Sequence, residues 1–384
     1  MKILYIIHSC KMGGATISFL NMLKGVIDKG NKVVVVHPNP FESDYTLIDK
    51  INSFGAKCYL VDVVLSYNRE GRNAFVQFVR PIFIYLYKIK FYIKLKKIVG
   101  IEKPDIIHSN TGVIQEGFYV AKKNKIPHIW HLREYQTKDF NWKPLPSLKV
   151  LKKLLSKSYT VCITKDIKKY FGLENNKKSF VIYNPIFSLR DIKSADYSGN
   201  YLLVANRVSK EKGIEDIIQA FGSVVFENNS FDLKIAGFGT ESYINELKTL
   251  CKSKGIENYV HFLEYTDNIV ELMLHAKAVV VGSYYEGFGR MTAEANMLGV
   301  PVIGRNSAGT KEILNQTGGG YLFETNDELS FVMRKLLEMD NADIKQFMIQ
   351  PQKKALSLYT SEQHVEQILN LYNKIIDERR EGVR

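Results

Sequence analysis

A chain of 384 residues exceeds one ordinary hydrophobic core and suits two domains of about 150–200 residues each. Its 45% hydrophobic and 24% charged content reads as soluble and globular, and its four scattered cysteines form no C-x-x-C pair, which argues against a zinc site or a disulfide framework and fits a reducing cytoplasm. The net charge of +13 is uneven: residues 1–190 hold 32 Lys+Arg against 13 Asp+Glu, while the remainder holds 21 against 27, so an anionic partner is expected for the first half.

The amino terminus, MKILYIIHSCKMGG, has an apolar run too short for a signal-peptide core and reads as a first strand (2–8), a Gly-Gly turn and a helix (15–30). Strand-like runs follow at 32–38 and 57–63. Phe75 to Gly100 then mixes aromatics, Ile/Leu and lysines, including Lys88, Lys90, Lys94, Lys96 and Lys97. No uncharged stretch there nears the roughly 20 residues of a membrane span. Two readings of it stand: a helix lying in a lipid headgroup region, or a domain helix with lysines in water. Further strands are expected at 104–110, 127–132, 159–164 and 178–184. Continuously apolar strands alternating with helices predict a parallel sheet covered on both faces.

Residues 188–200 are polar and irregular and are expected to link the domains. A second alternating series then runs through strands at 201–207, 232–239, 259–265, 277–283 and 301–305, with helical patterns at 214–227 and 242–255. From about Asn326 the chain reads as helical, and its last stretch is long enough to return to the first domain. The expected architecture is therefore two doubly wound α/β domains facing across a cleft: 1–187 completed by a helix at about 362–384, and 201–361. Ligands of such sheets bind beyond the carboxyl ends of the strands.

Four motifs could carry chemistry there. In SYYEGFGRMTAEANMLGVPVIG, Glu286 closes a buried strand, and Glu294 stands about one turn into the next helix. Gly287 and Gly289 allow close approach of a ligand, and amides near Gly289–Thr292 are unpaired donors at a helix start, suited to phosphate. Both glutamates could grip sugar hydroxyls, or one could be a turn residue and the other a solvated helix carboxylate. In ANRVSKEKG, Arg207 and Lys212 could neutralise a pyrophosphate, or be ordinary surface cations. No D-x-D occurs, which weakens a metal-bridged diphosphate. Met12-Gly13-Gly14 is not a dinucleotide fingerprint. His108 and His131 close strands, His131 with Arg133 and Glu134 behind it, in a structural or a binding role.

Taken together, the glycine loop after the first strand, HLRE at 131–134, NRVSKEKG at 206–213 and E-x7-E followed by PVIG resemble the family 4 glycosyltransferases of GT-B fold. These are retaining nucleotide-sugar enzymes of bacterial capsule, O-antigen or exopolysaccharide synthesis. The resemblance implies that Glu286 contacts the donor sugar and Glu294 the ribose hydroxyls. It gives Arg207 and Lys212 to the diphosphate, and the amides of Gly287, Phe288, Gly289, Arg290, Met291 and Thr292 to sugar and phosphate oxygens. His131 matches the family's active-site histidine, Gly13 and Gly14 its amino-terminal loop, and the base would lie near Phe262–Tyr265. Arg290 departs from the pattern, which commonly has an apolar residue there.

The activity so implied is hexosyl transfer with retention from a nucleotide-diphosphate sugar, UDP-linked in the first instance, without metal or other cofactor. The acceptor would be a lipid-linked or membrane-presented glycan, and the protein cytoplasmic, peripheral on the inner face of the membrane through its basic first domain. A GT-B epimerase or sugar phosphorylase is the alternative. Nucleic-acid binding is disfavoured, since the lysines lie mostly in helical segments rather than interleaved with aromatics on exposed strands.

Overall fold

The structure is a computed structural model that describes residues 1–40, 44–69, 74–226, 231–263 and 268–382. The chain divides into two compact units, 1–185 with 361–384, and 186–360. Each is built on a parallel sheet.

The first unit contains β1 (Lys2–Ile6), β2 (Lys32–His37), β3 (Lys57–Leu60), β4 (Tyr67–Arg69), β5 (Ile106–Ser109), β6 (His128–Leu132), β7 (Trp142–Pro144), β8 (Tyr159–Cys162) and β9 (Ser179–Val181). Seven of these form one parallel sheet, ordered β3-β2-β1-β5-β6-β8-β9, and β4 and β7 form a separate antiparallel ribbon. The β-branched interior of β2, Val33–Val36, is buried because helices cover both faces. On one face Phe19, Met22, Leu23 and Val26 of the helix Gly14–Asp28 pack with Ile368, Leu371 and Tyr372 of the terminal helix Ser361–Arg380. On the other lie Phe91, Leu95, Ile98 and Val99 of the helix Ala74–Glu102. The terminal helix thus completes the first unit's core.

The second unit contains β10 (Tyr201–Ala205), β11 (Asp232–Ala236), β12 (Val260–Leu263), β13 (Ala278–Val281), β14 (Val302–Arg305) and β15 (Gly320–Phe323), in the parallel order β12-β11-β10-β13-β14-β15. The order reverses beside β10, which pairs with both β11 and β13. At such a switch point the connecting loops part and a ligand can enter.

Residues 188–200 are not a linker but part of the second unit. Tyr197 is buried beside Ile344 and Met348, and its hydroxyl donates to Gly299 O at 2.7 Å. The amides of Ala195 and Asp196 donate to the carbonyls of Leu298 and Leu274. Burying that one aromatic outweighs the polar character of its neighbours. The ribbon β4–β7 and the strand β15 also went unanticipated, because each shows only a few apolar residues between turn formers.

The helix Ala74–Glu102 presents two faces. Phe91 and Leu95 are buried, whereas Ile82, Leu86, Ile89 and Ile93 form an exposed stripe, flanked by exposed Phe83, Tyr87, Lys90 and Lys94. Lys88 does not belong to the exposed basic set. It is buried, with its ammonium 2.9 Å from Ser66 Oγ and 3.3 Å from Glu116 Oε1. Among the described residues no helix is long and apolar enough to cross a membrane.

Candidate functional site

In the second unit the chemistry gathers on the loops beyond β10, β13 and β14. After β10 the chain makes a short turn, Lys210–Lys212, that ends at Gly213 with φ +62°. A Cβ on Gly213 would lie 2.3 Å from the carbonyl oxygen of Gly282, so only glycine permits both this backbone and this approach. The turn therefore rests on the end of β13, and Tyr284 N–H donates to Glu211 O at 3.1 Å. Lys212 Nζ consequently reaches Glu286 Oε1 at 2.5 Å, and Ser283 Oγ donates to the same oxygen at 2.7 Å. Both members of this ion pair are mostly shielded, at 16% and 21% side-chain exposure. From behind, Gly309 N–H donates to Glu286 O at 3.0 Å and braces the loop.

The helix Arg290–Leu298 opens on Gly289, whose φ of +90° is a left-handed conformation. Among the described residues no side chain caps this helix. Arg290 Nη2 donates to Glu294 Oε1 at 2.8 Å one turn on. Burial raises the Glu294 carboxyl above its usual range, against the lowering pull of Arg290. Thr292 and Thr310 are buried and their hydroxyls have no partner among the described residues. Phe288 is 4% exposed and packs edge-on against Tyr359, so its side chain is withheld from a ligand.

The structure thus brings Lys212 to Glu286 and Arg290 to Glu294, and leaves Arg207 apart. Its guanidinium is half-exposed, pairs with Glu211 at 2.6 Å, and lines a pocket of about 570 Å³ with Lys210, Phe238, Gly239 and Tyr243. Gly287 and Met291 sit on either side of the Phe288–Arg290 turn, partly exposed. Tyr265 lies outside the described residues; Phe262 is on β12. Ser283 and Gly309 were not singled out in the sequence, and neither was the Arg305–Asp216 ion pair that ties β14 to the helix Ile214–Gly222. The serine directly after the strand ending Val281-Gly282 was the available signal for the first of these.

In the first unit, Gly13 is extended, at φ 179°, and its N–H donates to Thr16 Oγ1 at 2.8 Å at the start of the helix Gly14–Asp28. A Cβ there would meet nothing within 4 Å, so space remains above the turn. His131 is fully buried at the end of β6. Its Nδ1 lies 3.3 Å from His108 Nε2, and its Nε2 has no partner among the described residues. Burial, reinforced by the Arg133 guanidinium, holds His131 and His108 well below the usual histidine range, so both are neutral. Arg133 is held by Asn110 and Asn184 at 2.7–3.0 Å. Glu134 accepts from the Thr111 hydroxyl, and burial pushes its carboxyl up to about 7.

Residues 187–353 match the family model Glycosyl transferases group 1. The chain is 26% identical over 186 residues to N-acetyl-alpha-D-glucosaminyl L-malate synthase of Bacillus anthracis, covering 48% of each chain. It is 25% identical over 175 residues to the capsular polysaccharide biosynthesis glycosyltransferase CapM of Staphylococcus aureus, covering 45% of each. The chain therefore spans about half the length of these curated relatives. Among solved structures, HepE of Anabaena in complex with UDP superposes with a TM-score of 0.79 at 19% identity, over 97% of this chain and 100% of that one. The match to the glycosyl transferase model thus falls within the second unit, and the chain has the two-domain GT-B fold.

Proposed function

We propose that this protein is a retaining, family 4 glycosyltransferase that moves a hexose-type sugar from a UDP-sugar to a hydroxyl of a lipid-linked or membrane-presented glycan in cell-surface polysaccharide synthesis. The observation that carries this is the pair of cation–carboxylate contacts, Lys212–Glu286 on the loops after β10 and β13 and Arg290–Glu294 in the first turn of the helix that follows, within the matched segment. The capsular relative and the UDP complex of the structural neighbour support the acceptor and donor classes.

In this reading Glu286 receives hydroxyls of the donor sugar and Glu294 those of the ribose. Lys212, Arg207 and the amides of residues 287–292 stabilise the leaving diphosphate, which is the charge that develops as the glycosidic bond breaks. An oxygen of that phosphate takes the acceptor's proton as the new bond forms on the same face, so no separate general base is needed. On the first unit, the family resemblance gives His131, whose imidazole is neutral, and the Gly13–Gly14 turn to the substrate. Because side-chain cations supply the neutralisation, no metal is required.

The test is a thermal-shift screen with UDP- and GDP-sugars, followed by turnover with and without EDTA. One UDP-sugar should raise the melting temperature by several degrees, and the transfer rate should be unchanged by chelation. Failure of every nucleotide sugar to stabilise the protein would refute the reading. Consumption of donor into an isomeric nucleotide sugar without acceptor would turn it to an epimerase.

The membrane role, with residence on the inner face of the cell membrane, rests on the helix Ala74–Glu102. Its stripe of Ile82, Leu86, Ile89 and Ile93 exposes apolar surface beside Lys90, Lys94, Lys96 and Lys97. Wild type should float with phosphatidylglycerol vesicles and not with phosphatidylcholine alone. Serine at Ile82, Leu86 and Ile89 should cut the bound fraction at least about tenfold, since each buried side chain contributes ~1.5–3 kcal/mol. Equal flotation of wild type and variant would remove this surface from the account.

A further inference from the structure

Arg290 stands where electrostatics disfavours it. As the first residue of the helix Arg290–Leu298 it adds positive charge to the positive end of the helix dipole, beside amides that no side chain among the described residues caps. It also lies four residues before Glu294, the less favourable order for a helical ion pair. Helix stability therefore does not explain the residue. What the location suits is an anion. The αL turn at Gly289 and the hydroxyl of fully buried Thr292, which has no partner among the described residues, both belong to this one helix start. A second buried hydroxyl without a partner among the described residues, on Thr310, lies 3.3 Å from where a Cβ on Gly289 would be.

Glu294 has the complementary difficulty. Its side chain is only 13% exposed, so its charge must always be met by something, and with no ligand bound Arg290 meets it. A carboxylate so occupied cannot offer its full acceptor capacity to a diol. We propose that Arg290 exchanges partners: it neutralises Glu294 while the site is empty, and moves to a phosphate oxygen when a nucleoside diphosphate brings ribose hydroxyls to Glu294. The inference rests on the reading of the second unit as a nucleotide-sugar site. It makes Arg290 a positioning and phosphate-binding residue, and it ties recognition of the ribose to recognition of the phosphates.

The exchange separates two ligands that share a ribose. Binding of uridine and of UDP to the full-length protein is measured by calorimetry for wild type, Arg290→Met, Arg290→Lys and the double variant Arg290→Met/Glu294→Gln, with guanosine and GDP if the screen selects GDP. Arg290→Met should weaken UDP about 10- to 50-fold and leave uridine within about threefold, because only UDP carries the phosphate. Arg290→Lys should keep part of the UDP affinity. The double variant leaves no unpaired buried charge, and in it the preference for UDP over uridine should shrink by a similar factor even if the single variant folds poorly. Equal losses for uridine and UDP would mean that Arg290 only props Glu294, and would overturn the exchange. So would an unchanged preference in the double variant. A wild type that binds neither UDP nor GDP overturns the nucleotide reading itself, a result distinct from both.

Discussion

Lys212→Ala is expected to lower the maximal transfer rate about 10²- to 10³-fold while donor affinity falls far less. The ammonium is held at 2.5 Å from Glu286 by a turn that Gly213 and Gly282 pin to the end of β13, so it is positioned before any substrate arrives. At 16% exposure it is largely out of water, where a preorganised charge acts on developing charge at low dielectric. In the proposed reaction that charge grows on the leaving diphosphate only as the bond breaks, so the loss falls on turnover rather than on binding. The measurement is kcat from UDP release at saturating donor, with circular dichroism to show that the variant is folded. A structural origin has its own signature. If Lys212 merely balances Glu286, the loss should come with a lowered melting temperature that Lys212→Met/Glu286→Gln restores; if it acts on the diphosphate, Lys212→Ala is slow with its melting temperature little changed. A kcat within about threefold of wild type for Lys212→Ala would exclude the catalytic role.

That residue also shows how far the sequence reaches into the site. Glu286 and Glu294 are visible from their spacing across a strand, a glycine turn and a helix start, because each of those elements has a local signature. Lys212 is visible as a cation after a strand. Its pairing with Glu286 is not, since it depends on the 2.3 Å approach of position 213 to Gly282, a contact between segments 69 residues apart in the chain. The same limit separates Arg207 from Lys212. Both follow β10, yet the left-handed turn at Gly213 directs one cation to Glu286 while Glu211 holds the other at the surface. Arg290 is the converse case. Its departure from the apolar residue usual in the family the sequence resembles is legible, but the partner that gives it meaning is a rotameric fact.

In the fold, the legible parts are the strands whose apolar runs are continuous, such as Val33–Val36 and Ala278–Val281, because burial on both faces leaves no polar position to blur them. The errors fall where one or two residues decide. Tyr197 draws a polar segment onto the second unit, and β15 is recruited by pairing with β14 rather than by its own propensity. The helix Ala74–Glu102 admitted two readings from sequence; the structure packs one of its faces in the core and leaves isoleucines and lysines exposed on the other, while the headgroup reading stays a proposal.

The largest stability effect is expected from Tyr372→Phe, a change of one oxygen in the terminal helix. The Tyr372 hydroxyl lies 2.8 Å from the Tyr5 hydroxyl and 2.6 Å from His108 Nδ1, and all three side chains are fully buried. Deleting it leaves two buried polar groups without that partner, at about 1–3 kcal/mol each. For a unit of this size the sum corresponds to a fall in melting temperature of about 5–15 °C, read by calorimetry on the full chain. The double variant Tyr5→Phe/Tyr372→Phe should recover part of the loss, because an apolar pair leaves only His108 unmatched, whereas additive losses would contradict a shared hydrogen bond. A fall of less than about 2 °C for the single variant would show that the chain of contacts contributes little. The consequence extends beyond stability. His108 passes the contact to His131 through Nε2 at 3.3 Å, so the terminal helix sets which nitrogen of His131 is left without a partner among the described residues. If His131 serves the substrate, as proposed, Tyr372→Phe should also slow transfer below the melting transition, and Tyr5→Phe, which leaves His108 paired, should slow it less.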